Sequence, residues 1–441
     1  MATGWHRSGS SRVCRVARSR CSLVEGKAKR NDSALAARDC VLFSTADWDE
    51  PYWTNKQHTA SILATRGWRI LYVESVGFRA PKVGSGRDWS RLWRRLWRGV
   101  QSLVLGPPRR AHNVWVLSPL MVPAGHHLPF VRALNQALLR FSVTRFARSR
   151  CFTKPVVWTY HPYMLDAIGT LPRGPLVYHC VDDIAEIPGV DVVAFRNAQQ
   201  ALLGRCEAVF TTAMSLKEVC LPFNRNTHFF GNVVDDAHFG EARSEGPVPA
   251  ELAAIAEPRL VYHGVLSDFK VDFPLLLQTA QARPHWQWII IGEEREGQRS
   301  ELLAQLARLP NVHLLGYRPY LVLPQYLRGM QVGVLPTLLN DYTRSMFPMK
   351  FYEYLAAGLP VVSTPLDFAK EPRAGLEVGG DVDAFVAAIE KQLARGKLSA
   401  DEARAAVGEN TWEARLDKML RITFGGHAAG NGSPASLDAV A

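Results

Sequence analysis

Long hydrophobic runs are missing from this chain of 441 residues. Its longest nearly apolar stretch, VWVLSPLMVPA at 114–124, is interrupted by Ser and Pro and falls well short of the roughly 20 residues a bilayer-crossing helix needs. No transmembrane helix is expected. Cysteine is equally sparse, with Cys14, Cys21, Cys40, Cys151, Cys180, Cys206 and Cys220 forming no CxxC pair and no metal-like spacing. That excludes a disulfide framework and a zinc site, and it suits unpaired thiols in a reducing compartment.

Charge is low at 21%, and 47% of the residues are hydrophobic, so the chain is not largely disordered. Its length allows two or three domains with buried cores. The net charge of +11 is concentrated: residues 1–39 sum to +6 and the segment RDWSRLWRRLWRG at 87–99 sums to +4. The remainder is then close to neutral, so no broad basic face and no nucleic-acid partner are expected. Residues 1–39 are rich in Arg, Ser and Ala and lack the apolar core of a secretory signal, which reads as a basic disordered segment. Residues 425–441 read as a disordered tail.

Between these ends, short β-rich runs alternate with helical stretches, the pattern of parallel sheets with crossover helices. The first half offers CVLFST, RILYVES, NVWVLS, VVWTY, LVYHCVDD and EAVFTT; the second offers RLVYHG, QWIIIG, NVHLLG, QVGVLP and VVST. Two sheets follow. The polar, Pro-containing stretch 241–258 suits a linker between an N-terminal α/β domain at 40–240 and a C-terminal one at 259–404. A helix at 405–424 is free to pack back on the first domain.

Ligands of open parallel sheets sit at the carboxyl ends of the strands, which selects Asp47, Glu74, His161, Asp182 and Asp183 in the first half. In the second half it selects Gly264 and the loop 338–348. His161 and Asp183 are candidates for a general base, although a histidine beside aromatics is often structural and aspartate caps helices well. The triplets DWD at 47–49 and DVD at 381–383 occur about as often as chance allows and carry no metal reading.

The most informative stretch is NDYTRSMFPMKFYEYLAAGLPVVSTPL at 340–366. Pro348 suits a helix start, Gly358 its C-terminal cap, and Pro360 blocks continuation before VVST. Lys350 and the free N–H groups at that helix start would suit a phosphate. Glu353 stands among Met349, Phe351, Tyr352, Tyr354 and Leu355, where an unpaired carboxylate is costly and a polyhydroxylated ligand would give it partners. The alternative is a Lys350–Glu353 pair on a partly exposed face.

FPMKFYEYLAAGLPVVSTPL resembles the signature helix of group 1 (family 4-like) glycosyltransferases. LVYHCVDDIAEIPG at 176–189, VYHGVLSDFKVDF at 261–273 and NVHLLGYRPYLVLPQYLRGMQVGVLP at 311–336 resemble further parts of the same family in the same order. The resemblance covers roughly residues 40–420. It implies a GT-B fold of two Rossmann-like domains facing across a cleft, with a nucleotide-sugar donor on the C-terminal side and an acceptor on the N-terminal side. By the same resemblance Glu353 holds the ribose hydroxyls, Lys270 contacts the diphosphate, and Tyr317 with Arg318 lies near the base.

Gly264, Ser345 and Lys350 complete the expected donor set, while Asp47, His161, Asp182 and Asp183 stand on the acceptor side. Two positions depart from the family. Ser345 replaces the first glutamate of its pair, and Val265 stands where an arginine often follows the glycine. The resemblance implies transfer with retention, no required cofactor and no metal, with Lys270 and Glu353 in catalytic positions beside His161 and Asp183. A saccharide or lipid-linked saccharide acceptor, surface polysaccharide or glycoconjugate synthesis, and a cytoplasmic site complete that expectation. A nucleotide-sugar epimerase on the same fold and a noncatalytic nucleotide-sugar-binding protein remain the competing readings.

On a helix, Trp89, Trp93, Leu96, Trp97 and Val100 share one face and Arg91, Arg94, Arg95 and Arg98 lie around the other. Such a composition suits peripheral docking of residues 87–100 on an anionic inner-membrane surface. It equally suits a surface helix with its Trp stripe packed inward.

Overall fold

The computed structural model describes residues 38–75, 97–122, 129–169, 171–187, 189–295 and 299–425. The expectations for residues 1–37, 87–96 and 426–441 lie outside the described residues. All eleven β-rich runs form strands, and three short strands join them. The chain divides into two compact units, one of residues 1–48 with 60–177 and one of residues 49–59 with 178–441.

The first unit holds β1 (Asp39–Phe43), β2 (Arg69–Val73), β3 (Arg109–Ala111), β4 (Val114–Leu117) and β5 (Val156–Thr159), in the spatial order β3-β4-β2-β1-β5. Pairing is parallel throughout except for β3 against β4. Each parallel strand is a run of buried apolar residues, as strands covered on both faces require. Register is anchored at one end by charge. Asp39 faces Arg69 across the β1–β2 ladder, and the guanidinium donates to its carboxylate at 2.7 and 2.8 Å.

Helix α1 (Asn55–Thr65) begins in the second unit and ends in the first. Helix α2 (Pro129–Ser149) buries Val131, Asn135, Leu139, Val143 and Phe146 at helical spacing. Helical residues 97–105 adjoin it, where Arg145 donates to the carbonyls of Leu103 and Val104.

The second unit contains β6 (Leu176–Cys180), on which the division falls, followed by β7 (Ala208–Thr211) and β8 (Thr227–Phe229) in that spatial order. Its larger sheet comprises β9 (Arg259–His263), β10 (Gln287–Ile291), β11 (Val312–Gly316), β12 (Val332–Leu335), β13 (Val361–Ser363) and β14 (Leu376–Val378). The order is β11-β10-β9-β12-β13-β14, all parallel. Renumbered from β9, this is the 3-2-1-4-5-6 order of doubly wound nucleotide-binding sheets, whose ligand crevice opens where the order reverses, here between β9 and β12.

Alternation along the strands divides two cores. Val261, Ile289 and Leu335 point to one cluster, while Leu260, Ile290 and Val334 point to the other, since successive side chains leave opposite faces. Helix α3 (Phe273–Ala282), N-capped by Asp272 at 2.9 Å, covers the second face. Helix α4 (Lys350–Ala356) covers the first. After it, Gly358 takes φ +80°, the left-handed position that ends the helix before β13.

Helix α5 (Trp412–Gly425) contacts β7 and sends Arg415, only 3% exposed, into a buried polar chain. Its guanidinium stacks on Trp412 at 4.4 Å and donates to Asn55 Oδ1 at 2.7 Å and to the Gly231 carbonyl at 3.1 Å. Asn55 Nδ2 donates to Asn232 Oδ1 at 2.9 Å, and Asn232 Nδ2 donates to the Phe347 carbonyl. Removing the guanidinium takes a donor from Asn55 Oδ1 and from the Gly231 carbonyl. Arg415→Met is therefore expected to cost about 3 kcal/mol, measured as a lowered urea midpoint at unchanged m-value.

Candidate functional site

At the β9–β12 switch the second unit encloses a cavity of about 300 Å³. Strand β9 ends at His263, and Gly264 follows with φ +134°. A Cβ at Gly264 would stand 2.5 Å from Lys350 Cε, so only glycine leaves room for the lysine stem across the strand end. Gly264→Ala is expected to displace Lys350 and to weaken anionic-ligand affinity at least about tenfold, since strain of about 1–3 kcal/mol accompanies the left-handed backbone. Titration calorimetry of the variant against the wild type checks this.

Lys350 opens α4 with its ammonium 5.6 Å over the Tyr262 ring. Burial pulls its pKa down, Glu353 pulls it back up, and Lys270 lowers it further. The helix has only seven residues and its N-cap Met349 makes no side-chain capping bond, so anion attraction here rests on lysine charge and not on the helix terminus. Glu353, 8% exposed, lies with Oε2 at 3.3 Å from His263 Nε2. The pair with Lys350 on a partly exposed face is not what forms. Burial pushes the Glu353 carboxyl up to about 7 against the opposing pull of Lys350, and burial with Lys350 nearby pushes His263 down to about 3. Both groups are driven toward their neutral forms.

Lys270 sits in the loop before α3, its ammonium 3.4 Å from the Tyr342 hydroxyl and 5.1 Å from that ring. Tyr342 donates to Asp182 Oδ1 at 3.3 Å, and Asp182 Oδ2 is 3.7 Å from Lys56 Nζ. Lys56, Asp182, Lys270, Tyr342, Lys350 and Glu353 all line the cavity. Burial lowers the Lys56 pKa, Asp182 restores part of it, and Lys270 lowers it again. A bound polyanion would relieve the repulsion among these cations. Among the described residues no group of three or more His, Cys, Asp or Glu could hold a metal ion.

Tyr317 lines the same cavity, donating to the Pro51 carbonyl at 3.4 Å and meeting Tyr52 edge-on at 5.3 Å. Arg318 also lines it, but its guanidinium is held by Glu251 at 2.8 and 3.0 Å and by the Tyr326 hydroxyl at 2.6 Å. Ser345 stands outside the lining, at the end of the short helical turn Asp341–Arg344, where it accepts from the Ser215 hydroxyl at 3.1 Å.

The remaining candidates have other surroundings. Asp183 is tied to Arg196 at 2.8 Å and occupies the N-cap of the turn Ile184–Glu186 without making a capping bond. Its neighbour Asp182 is the one that reaches the cavity. His161 and Asp47 belong to the first unit. His161 is buried, accepts from the Tyr163 amide on Nδ1 at 3.0 Å as the cap of Pro162–Met164, and is pushed down to about 3 by burial. Burial raises the pKa values of Tyr72 and Glu74, and the charge of Asp47 adds to both. Glu74 itself accepts from the Trp48 amide at 2.9 Å and from the Ser118 hydroxyl, an internal structural role.

Sequence reading did not select Lys56, His263 or Tyr342. His263 had a legible signal as the last residue of a β-run, directly before Gly264. Lys56 had none, because it enters from the first turn of α1, nine residues beyond Asp47.

Residues 257–395 match the family described as glycosyl transferases group 1. The putative teichuronic acid biosynthesis glycosyltransferase TuaH of Bacillus subtilis (strain 168) is 31% identical over 162 residues, covering 35% of this chain and 40% of the relative's length. Among solved structures, sucrose-phosphate synthase from Thermosynechococcus elongatus aligns with TM-score 0.63 and 15% identity over 89% of this chain and 100% of that one. Anabaena HepE in complex with UDP and glucose aligns with TM-score 0.56 and 15% identity, covering 88% and 99%. Trehalose 6-phosphate synthase from Burkholderia multivorans gives 0.60 and 12%, covering 90% and 100%. At such identities the likeness establishes the fold, which is GT-B, α/β with two Rossmann-like sheets.

Proposed function

We propose that this chain, whose residues 257–395 belong to the glycosyl transferases group 1, moves a sugar from a nucleotide-sugar donor to a saccharide or lipid-linked saccharide acceptor. The observation that carries this reading is the cavity at the β9–β12 switch, which sets Lys56, Lys270 and Lys350 around one space with a buried Glu353, whose pKa burial raises to about 7. Three ammonium groups match a diphosphate. A buried carboxylate beside them gains, from two vicinal ribose hydroxyls, the donors that the protein does not supply. Tyr52 and Tyr317 offer aromatic edges for a base, and complexes of the HepE relative with UDP and glucose are consistent with that class of ligand.

Retention is what the resemblance to group 1 glycosyltransferases implies, and the surroundings of two candidate bases are consistent with it. Asp183 is engaged by Arg196 and His161 by its cap, so proton acceptance falls to the leaving diphosphate. The C1–oxygen bond to the diphosphate breaks and the acceptor oxygen bonds to C1 on the same face. Its proton passes to a diphosphate oxygen, whose charge the lysines stabilise. Neither a cofactor nor a metal is assigned a step. The name of the TuaH relative supports a setting in surface polysaccharide or glycoconjugate synthesis. The composition of residues 87–100 supports, from sequence, a cytoplasmic site peripheral to the inner membrane. No helix among the described residues is long and apolar enough to cross a membrane.

Incubation of the full chain with UDP-, GDP- and ADP-sugars and a bacterial lipid extract, followed by mass spectrometry, tests this reading. A hexose added to a lipid-linked saccharide supports transfer. Conversion of the donor sugar without acceptor would instead support the epimerase, and binding without turnover the noncatalytic reading.

A further inference from the structure

Between Asp88 and Asp166 the chain has no Asp or Glu, while Arg and Lys number twelve. Residues 178–441 sum to −8. The near-neutral total outside the two basic segments therefore conceals opposed charge blocks, which corrects the expectation that no broad basic region exists.

Helix α2 lies inside this acid-free span, and its 21 residues include no Asp or Glu. Opposite its buried residues, Phe130, Leu134 and Phe141 are 69%, 47% and 57% exposed. Arg145 and Arg148 are exposed at helical spacing from Phe141, and Arg140 is exposed to the side of that face. The adjoining helical residues 97–105, joined through Arg145, add Trp97 at 65%, Val104 at 63% and Leu105 at 82%. Six large apolar side chains thus stand in water among cations.

A nucleic-acid backbone would pair the arginines and leave the apolar groups uncovered. A second copy would bring cations against cations. Anionic lipid satisfies both at once, with acyl and interfacial depth for Phe, Leu and Trp and headgroup phosphates for Arg. We propose that the outward face of α2 and residues 97–105 form a docking surface for a membrane of anionic lipids. This deepens the reading of a lipid-linked acceptor, using residues distinct from 87–96.

The test is co-sedimentation of the full chain with vesicles of phosphatidylcholine alone or mixed with phosphatidylglycerol. Binding is expected only with phosphatidylglycerol and is expected to weaken as salt rises. Two variants, Leu134→Ser with Phe141→Ser and Arg140→Glu with Arg148→Glu, are each expected to weaken it at least about tenfold while circular dichroism shows an intact fold. The proposal is overturned by absence of binding to anionic vesicles, or by both variants binding as the wild type does. It is equally overturned if the apolar variant retains vesicle binding but abolishes a dimer, or if duplex DNA binding depends on the same apolar pair. No nucleotide or acceptor enters the assay, so failure of the transferase reading would leave its result standing.

Discussion

Glu353→Gln protein is expected to be more stable than the wild type above neutral pH and to have lost nucleotide affinity. Folding raises the Glu353 pKa from 4.5 to about 7, chiefly by burial. A carboxyl raised in this way favours the fold fully below pH 4.5, and that contribution disappears as pH climbs through about 7. Wild type thus loses up to about 3 kcal/mol relative to the glutamine variant across this window, the equivalent of the shift. His263 at 3.3 Å acts in the opposite pH direction, because its lowered pKa makes acid below 6.5 destabilising to both proteins. Urea unfolding of both proteins from about pH 5 to about pH 8 reads the difference. A constant gap across the window would show that Glu353 does not titrate there.

The second large effect concerns Lys350. Lys350→Met should leave the empty protein as stable as before or more so, because burial already lowers the lysine's pKa and Glu353 only partly restores it. Turnover should fall by about 10²–10³-fold, the usual loss when one donor to a developing anion is removed. Discrimination lies in the ligands. Nucleoside affinity is expected to hold, while nucleoside diphosphate affinity falls with the lost charge. Steady-state kinetics combined with calorimetry on nucleoside, monophosphate and diphosphate separates these. An equal loss for all three would move Lys350 away from the diphosphate.

Much of this architecture is legible in the residues. All but one of the eleven β-runs are buried strands, the easiest kind to read because both faces are covered and apolar residues run on; the exception is the edge strand β11, where only Val312 is buried. The three strands that escaped notice are three residues long. β3 is RRA, fully exposed and antiparallel at an edge, whereas β8 and β14 are partly buried. None has length enough for a period. The helix around Glu353 was legible through its bounding Pro348 and Gly358, although it begins only at Lys350.

The site was legible where the chain is local and obscure where it is not. Gly264 and Lys270 in loops and Glu353 in α4 belong to one sheet's connections and stand together as that sheet requires. Lys56 joins them from a distant segment through Asp182, a contact that no spacing reveals. Between Asp182 and Asp183, sequence offers no way to choose, and the choice is made by Arg196, which holds the second and leaves the first to the cavity. Net charge misled for a related reason. Outside the two basic segments, a sum cancels the acid-free residues 100–165 against the acidic residues 178–441.

The most direct test of the donor site is thermal unfolding of the full chain with UDP, GDP, ADP and their sugar conjugates, comparing wild type with Glu353→Ala. Ligand at about a hundredfold above its dissociation constant adds roughly 2.7 kcal/mol to the folded state. The expected result is a raised midpoint with one nucleotide series in the wild type, reduced or abolished in the variant. No shift with any nucleotide from folded wild type, or an undiminished shift in the variant, would contradict the assignment of this cavity and of Glu353 to the donor.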